Sequence, residues 1–248
     1  MKSLKNHEEA LTKDGSKTLY SKRYDEHCHS LDGANEETLT HYIQSCQVLE
    51  KSKTKGPFHV LEVGFGAGIG LKMTAQKVKT PAKFTSFEID PELIKYFLTK
   101  QKIDYKESGN IYSFKYRALE VQIIQGDALK TISQVEMSAD CIYQDAFSPK
   151  KNPELWTVEW FQSLKELANE DCIMSTYSAS SSIRKSMIEA GWKINPGQRF
   201  GNKRASTIAK LEGHTHQDIL DHLDRSPTLP LYHKDIPIYL QGKLLKKI

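Results

Sequence analysis

Phe58-His59-Val60-Leu61-Glu62-Val63-Gly64-Phe65-Gly66-Ala67-Gly68 is an apolar run that stops at three spaced glycines. A short, nearly continuous apolar run closed by glycine reads as a strand buried on both faces. The glycines let the chain turn sharply and bring its backbone close to whatever sits at the strand's end. Ile69–Lys79 then has helix-compatible spacing, and the same alternation repeats downstream. Phe84–Glu88 predicts a second strand and Pro91–Lys102 a helix with proline in its first turn. Val121–Gly126, Asp140–Asp145 and Asp171–Tyr177 predict three more strands. They alternate with helices over Ala128–Ser133, Pro153–Ala168 and Ser180–Ala190. Gly191–Gln198 and Lys203–Leu211 read as a closing strand pair around Arg199-Phe200-Gly201-Asn202. The whole predicts an α/β fold: a doubly wound, mostly parallel, seven-stranded sheet with an antiparallel last strand.

Composition narrows the class. Of the 248 residues, 38% are hydrophobic and 27% charged, and no apolar run approaches the roughly 20 residues of a membrane helix. The polar stretch Met1–Asp14 lacks the apolar core of a signal peptide. Cys28, Cys46, Cys141 and Cys172 form no CxxC pair, and two of them sit in apolar runs, as reduced buried thiols do. These features point to a cytoplasmic protein without a membrane partner. His27-Cys28-His29 has no second pair at ligand spacing, so it reads as loop and no metal is expected.

Three acids follow apolar runs in a fixed order. Glu62 stands just before Gly64, Gly66 and Gly68, where a carboxylate suits a cationic ligand such as a methionyl amino group. Glu88 lies 20 residues beyond Gly68, where doubly wound folds place an acid that accepts ribose hydroxyls. Asp90 fits the alternative role of helix cap before Pro91. Asp127, followed by Ala128, can accept from an adenine amino group or cap the next helix. Ligands bind at the carboxyl edge of such sheets. The ordered acids therefore point to S-adenosyl-L-methionine as cofactor.

The fourth strand continues into Asp145-Ala146-Phe147-Ser148-Pro149-Lys150-Lys151-Asn152-Pro153-Glu154-Leu155-Trp156. Asp145 falls beside the expected position of the methyl group, close enough both to touch the cofactor and to orient an attacking amine and take its proton. Capping the following turn is its plainer role. Phe147 can stack on a flat base. This stretch resembles the signature of the tRNA 5-aminomethyluridine methyltransferases, which in many bacteria form the N-terminal half of a bifunctional enzyme making 5-methylaminomethyl-2-thiouridine at the wobble position. Thr18-Leu19-Tyr20-Ser21 and Asp32-Gly33-Ala34-Asn35-Glu36-Glu37-Thr38 resemble that family's entry segment, and Ala190-Gly191-Trp192, Phe200-Gly201 and Lys203-Arg204-Ala205 its closing hairpin.

The resemblance spans most of 16–211 and implies a Rossmann-like class I methyltransferase. Its substrate would be tRNA, with the aminomethyl group supplied by upstream tRNA-modifying enzymes. It implies substrate contacts at Tyr20, Glu36 and Phe147. The strand–helix alternation divides the chain into an expected covering segment (1–57, with a helix-like stretch at Glu36–Glu50), a methyltransferase domain (58–212) and a tail (213–248). The bifunctional relatives carry an FAD-dependent oxidase after this half. The sequence shows no second dinucleotide loop, so no oxidase activity is expected. The insert Asp104–Leu119 has no counterpart in the resemblance.

A folded RNA needs cations near the site. Lys150, Lys151, Arg184, Lys185, Arg199, Lys203 and Arg204 all fall in segments expected at the carboxyl edge around Asp145. Lys243, Lys246 and Lys247 form a basic end. Net charge is only +4, so placement matters more than the sum. The competing reading is an N-methyltransferase or aminopropyltransferase acting on a small amine, which needs an acidic pocket where this edge reads as basic.

Overall fold

The computed structural model describes residues 4–200 and 206–241. The chain opens with three short antiparallel strands, β1 (His7–Leu11), β2 (Lys17–Ser21) and β3 (Glu26–His27), which form a sheet of their own. A helical stretch follows: α1 (Ala34–Thr38), a π-helical turn over Leu39–Gln44, then α2 (Val48–Thr54). Gln47 is left-handed between the last two, so the single helix expected over Glu36–Glu50 is broken there. The main sheet begins with β4 (Phe58–Val63), every residue of which is buried. Then come α3 (Ile69–Lys77), β5 (Ala82–Glu88), α4 (Pro91–Gln101), β6 (Lys106–Ser108), β7 (Ile111–Tyr116), β8 (Leu119–Gln125), α5 (Ala128–Thr131) and β9 (Ala139–Gln144). The chain continues through α6 (Val158–Glu166), β10 (Ala168–Thr176), α7 (Ser181–Glu189), β11 (Lys193–Pro196), β12 (Thr207–Lys210), α8 (Gln217–Arg225) and α9 (Ile236–Leu240).

The main sheet is mostly parallel, doubly wound and nine-stranded, in the order β11-β12-β10-β9-β4-β5-β8-β7-β6. Seven strands are those expected from sequence, and β12 runs antiparallel to both its neighbours. The two additional strands, β6 and β7, fold the unmatched insert into a hairpin that extends the sheet antiparallel beyond β8.

Alternation along β4 divides two cores. Phe58 and Val60 face α3 and the N-terminal helices, and Leu61 and Val63 face α6 and α7. β4 pairs with β5 on one side and β9 on the other, so the strand order reverses there and a crevice opens at the carboxyl ends. Among the described residues no helix is long and apolar enough to cross a membrane. Lys203, Arg204, Lys243, Lys246 and Lys247 lie outside the described residues.

The chain leaving β9 is held by one side chain. Gln144 is fully buried; its Nε2 donates to the Leu155 carbonyl at 2.7 Å and its Oε1 accepts from Trp160 Nε1 at 3.0 Å. Together these bonds fix the loop 145–157 against the sheet. Replacing Gln144 with Leu leaves two partners without a bond and should cost about 2–4 kcal/mol of stability. Urea unfolding measures this; a loss under 0.5 kcal/mol at constant slope would contradict the clamp.

Candidate functional site

A cavity of about 710 Å³ opens in that crevice, lined by the ends of β4, β5, β8 and β9 and roofed by the N-terminal sheet and its connection to α1. Its floor depends on Gly64. The residue has φ +98°, and a Cβ there would stand 2.7 Å from the Asp145 carbonyl oxygen. The Asp145 amide meanwhile donates to the Val63 carbonyl at 3.1 Å. The glycine turn and the acid at the end of β9 thus lie backbone against backbone, as expected where only glycine fits.

The acids take different places around this floor. Glu88 lines the cavity at the end of β5, 7% exposed, with its carboxylate accepting from the Gly66 amide at 2.8 Å and the Asp90 amide at 2.9 Å. Burial lifts its pKa to about 7, against the lowering effect of those amides. Asp90 caps α4 by accepting from the Glu92 amide. Asp127 lines the cavity and also caps α5, accepting from the Leu129 amide at 3.1 Å, and Ala128 lies beside it. Glu62 is absent from the wall. It is buried on the α3 face of the sheet, where it accepts from Ser86 Oγ at 2.8 Å and packs beneath Gly70. Burial raises its pKa well above the usual carboxylate range. Strand alternation explains the correction: Val63 and Gly64 present the wall, and Glu62 is turned under it. Gly66 lines the cavity, whereas Gly68 (φ +69°) starts α3 against the Phe97 ring.

Asp145 lines the cavity. Its Oδ1 accepts from Tyr42 Oη at 2.6 Å and its Oδ2 stands 3.6 Å from His29 Nε2. Phe147 stacks on Tyr24, ring centroids 4.3 Å apart and planes 20° from parallel, at a rim that Arg23 also lines. The guanidinium of Arg23 lies 5.3 Å from the Tyr24 ring centre. Tyr24 and Tyr42 carry no expectation from sequence, and His29 and Glu37 enter there only within the loop His27–His29 and the stretch Asp32–Thr38. They come from segments whose positions depend on long-range docking.

Two expected substrate contacts fall elsewhere. Glu36 is exposed and outside the cavity, and Glu37 faces inward, because one residue along a helix turns the side chain by about 100°. Tyr20 is also outside the lining. Its hydroxyl donates to Asp25 at 2.5 Å and its ring packs on His27.

Among the described residues, seven carboxylates line the cavity with two fixed cations, Arg23 and Lys151. Lys150 is exposed outside the lining, and Lys151 reaches Asp25 at 3.1 Å. Arg184 is turned away to Thr207 Oγ1 and the Ser206 carbonyl, and Lys185 to the carbonyls of Ser226 and Thr228. Among the described residues, the His, Asp and Glu group with ligand atoms within 4.8 Å of one another is His7, Asp90 and Glu92, where β1 meets the start of α4.

A family model described as S-adenosyl-L-methionine-dependent methyltransferase matches residues 91–212. The crystal structure of MnmC2 from Aquifex aeolicus superimposes with a TM-score of 0.75 at 32% identity, covering 93% of this chain and 80% of that one. The chain belongs to the MnmC2 family of S-adenosyl-L-methionine-dependent methyltransferases. The bifunctional protein MnmC of Paraburkholderia phymatum, named for tRNA 5-methylaminomethyl-2-thiouridine biosynthesis, is 25% identical over 228 residues, 78% of this chain and 33% of that protein. The chain thus spans about one third of the length of the curated relatives it matches. Spermidine synthase from Thermotoga maritima shares the fold alone, with a TM-score of 0.52 at 14% identity over 94% of this chain and 79% of that one.

The residues present fit the family's cofactor. Glu88 offers a buried acceptor, Phe87, Leu93 and Leu129 give an apolar wall, and Gly64 and Gly66 keep side chains out of the floor. Ribose hydroxyls donate to an ionised carboxylate. With the Glu88 pKa near 7 before binding, affinity for S-adenosylhomocysteine should therefore rise with pH, by up to about tenfold per unit below 7, and level off above it. Calorimetry from pH 5.5 to 8.5 checks this, with Glu88→Gln expected to flatten the profile. A flat profile in the parent would remove Glu88 from the ribose.

Proposed function

We propose that the protein transfers a methyl group from S-adenosylmethionine to the amine of 5-aminomethyl(-2-thio)uridine at the tRNA wobble position, giving 5-methylaminomethyl(-2-thio)uridine. The observation that carries the reading is Asp145. It is an acid at the end of β9, held by Tyr42, on the wall of an acid-lined cavity in a chain 32% identical to MnmC2. The cofactor supplies a sulfonium methyl. The protein's own residues then have to hold an amine, remove its proton and keep water away.

Glu88 is the proposed ribose acceptor, Asp127 with Ala128 the adenine edge, and Gly64 and Gly66 the floor beneath the methionyl part. Asp145 orients the amine and takes its proton. The stacked Phe147–Tyr24 pair offers the uracil ring an outer aromatic face, a sequence-tolerant way to hold an extruded base. Arg23, Lys150 and Lys151 stand at or near the mouth and answer phosphates. An acidic interior for an ammonium and a basic rim for a backbone are separate demands on one substrate, and this site answers both. The supply of the aminomethyl group by upstream tRNA-modifying enzymes belongs to the same reading.

The acidic interior alone would also accept a free polyamine, so substrate competition is the test. Purified protein should methylate tRNA carrying 5-aminomethyluridine, and spermidine in excess should neither be methylated efficiently nor compete. Transfer to tRNA at subsaturating concentration should fall about 20- to 40-fold between 50 and 200 mM salt if roughly three phosphates are contacted. Efficient methylation of spermidine, or transfer indifferent to salt, would overturn the tRNA reading.

A further inference from the structure

β1 lies along α4. On one side of His7 the Lys5 amide donates to Glu92 Oε1 at 2.8 Å, and on the other Glu9 accepts from Tyr96 and, at 3.2 Å, from Lys100. Glu92, Tyr96 and Lys100 follow at four-residue steps, so they share one face of α4. His7 sits in the middle of this seam, 5% exposed, and its Nδ1 is buried without a hydrogen bond among the described residues. Buried polar atoms are almost always bonded, and an exception asks for a partner of another kind.

Two carboxylates face that nitrogen. Asp90 Oδ2 and Glu92 Oε2 each stand 3.8 Å from it, beyond hydrogen-bond reach. Other bonds hold both acids in place. Asp90 caps α4 through Oδ1, which accepts from the Glu92 amide at 2.8 Å. Glu92 is anchored by the Lys5 amide and, through a long bond of 3.4 Å to Oε2, by the Asn6 amide. A protonated imidazole would give its N–H to one acid and close on it. Here the ring stands back equally from both.

A metal ion satisfies all three groups at once. Their ligand atoms lie within 4.8 Å of one another. Two bonds of about 2.1 Å at a tetrahedral angle set ligand atoms about 3.4 Å apart, so the imidazole and each acid have to approach by only about 0.4 Å. The acid side chains, 22% and 30% exposed, can turn to close the rest and leave one side open for a water as fourth ligand. The positive end of α4 disfavours a cation. Two carboxylates at its cap and first turn outweigh that. One imidazole nitrogen with two carboxylate oxygens suits zinc and its neighbours, whereas magnesium and calcium take oxygen throughout.

We propose that His7, Asp90 and Glu92 bind one divalent transition-metal ion of the zinc class, and that the ion staples the N-terminal sheet to α4. The three residues lie outside the cavity lining, so the ion is structural and the inference does not depend on which substrate is methylated. The Asp90 amide donates to Glu88 Oε1 at 2.9 Å, so the staple also steadies the acid on the cavity wall.

The test uses the full chain without an affinity tag, stripped with a chelator, dialysed and titrated with zinc chloride in a calorimeter. The parent should bind one equivalent with a Kd at or below about 10 μM. At 100 times that Kd its thermal midpoint should rise by about 5–10 °C. Glu92→Gln and Asp90→Asn keep oxygens for the amide bonds and the helix cap, and His7→Phe fills the buried space. Each should weaken zinc about tenfold or more, erase the thermal shift and remove the protection that zinc gives the N-terminal sheet against trypsin. Cobalt chloride should give the visible bands of nitrogen and oxygen ligation, without the thiolate charge transfer that a cysteine ligand would bring. If one variant does not fold, the other two decide. A parent with no site tighter than about 100 μM, folded variants that bind within about threefold of the parent, or a thiolate band would each overturn the site.

Discussion

The site depends on the meeting of two backbones between β4 and β9. The sheet reverses its order there, so the chain leaving β4 and the chain leaving β9 emerge side by side. Gly64 has no room for a Cβ against the Asp145 carbonyl, and the Asp145 amide is bonded to Val63. The floor of the cofactor cavity and the acid proposed for catalysis are therefore one rigid unit. Glu88 is tied to the same floor through the Gly66 amide. In the proposed reaction, the distance from cofactor to amine follows from covalent geometry and sheet register more than from flexible side chains.

Around that unit the charges are layered. The interior carries carboxylates on elements from both ends of the fold, Glu37 and Glu26 from the roof, Glu88, Asp127 and Asp145 from the sheet edge. In the proposed reaction Glu88 meets ribose hydroxyls, Asp127 an adenine edge and Asp145 an ammonium. Glu26 instead braces the roof, accepting from the Ser148 amide at 3.1 Å and Ser148 Oγ at 2.8 Å. Lys151 does similar work from the other side through Asp25. The roof is also pinned at its far edge, where Glu92 accepts from the Lys5 amide and Glu9 joins Lys100 and Tyr96. The cavity is thus closed by contacts between segments far apart in sequence.

That separation decides what the sequence reveals. Parallel strands buried on both faces write themselves as apolar runs, and acids at their ends stand out against them. So the doubly wound sheet and the places of Glu88, Asp127 and Asp145 on the crevice are legible. Side-chain direction within a loop or a short helix is not. Glu36 and Glu37 are indistinguishable until the phase of α1 is known, and the strand pleat puts Glu62 behind the wall. Lysines and arginines were placed by topology, yet Arg184 and Lys185 spend their donors on the scaffold. The N-terminal sheet has short strands with mixed polarity and is held by docking, so Tyr24 and His29 beside it, and Tyr42 in the π-helical turn, are not marked by a local pattern. The hairpin from the unmatched insert is an edge extension that the alternation of strands and helices does not require.

The central claim is that Asp145 seats the amine and takes its proton on a floor that exists without it. Asp145→Asn keeps an oxygen to accept from Tyr42, so the fold and the cofactor site should survive. Single-turnover methyl transfer at saturating tRNA and S-adenosylmethionine, followed from pH 6 to 9, isolates the chemical step. The account predicts a rate about 100-fold or more below the parent's, with S-adenosylhomocysteine affinity within a few-fold. A rate within a few-fold of the parent across that range would mean that the proton leaves by another route and that Asp145 only shapes the turn after β9.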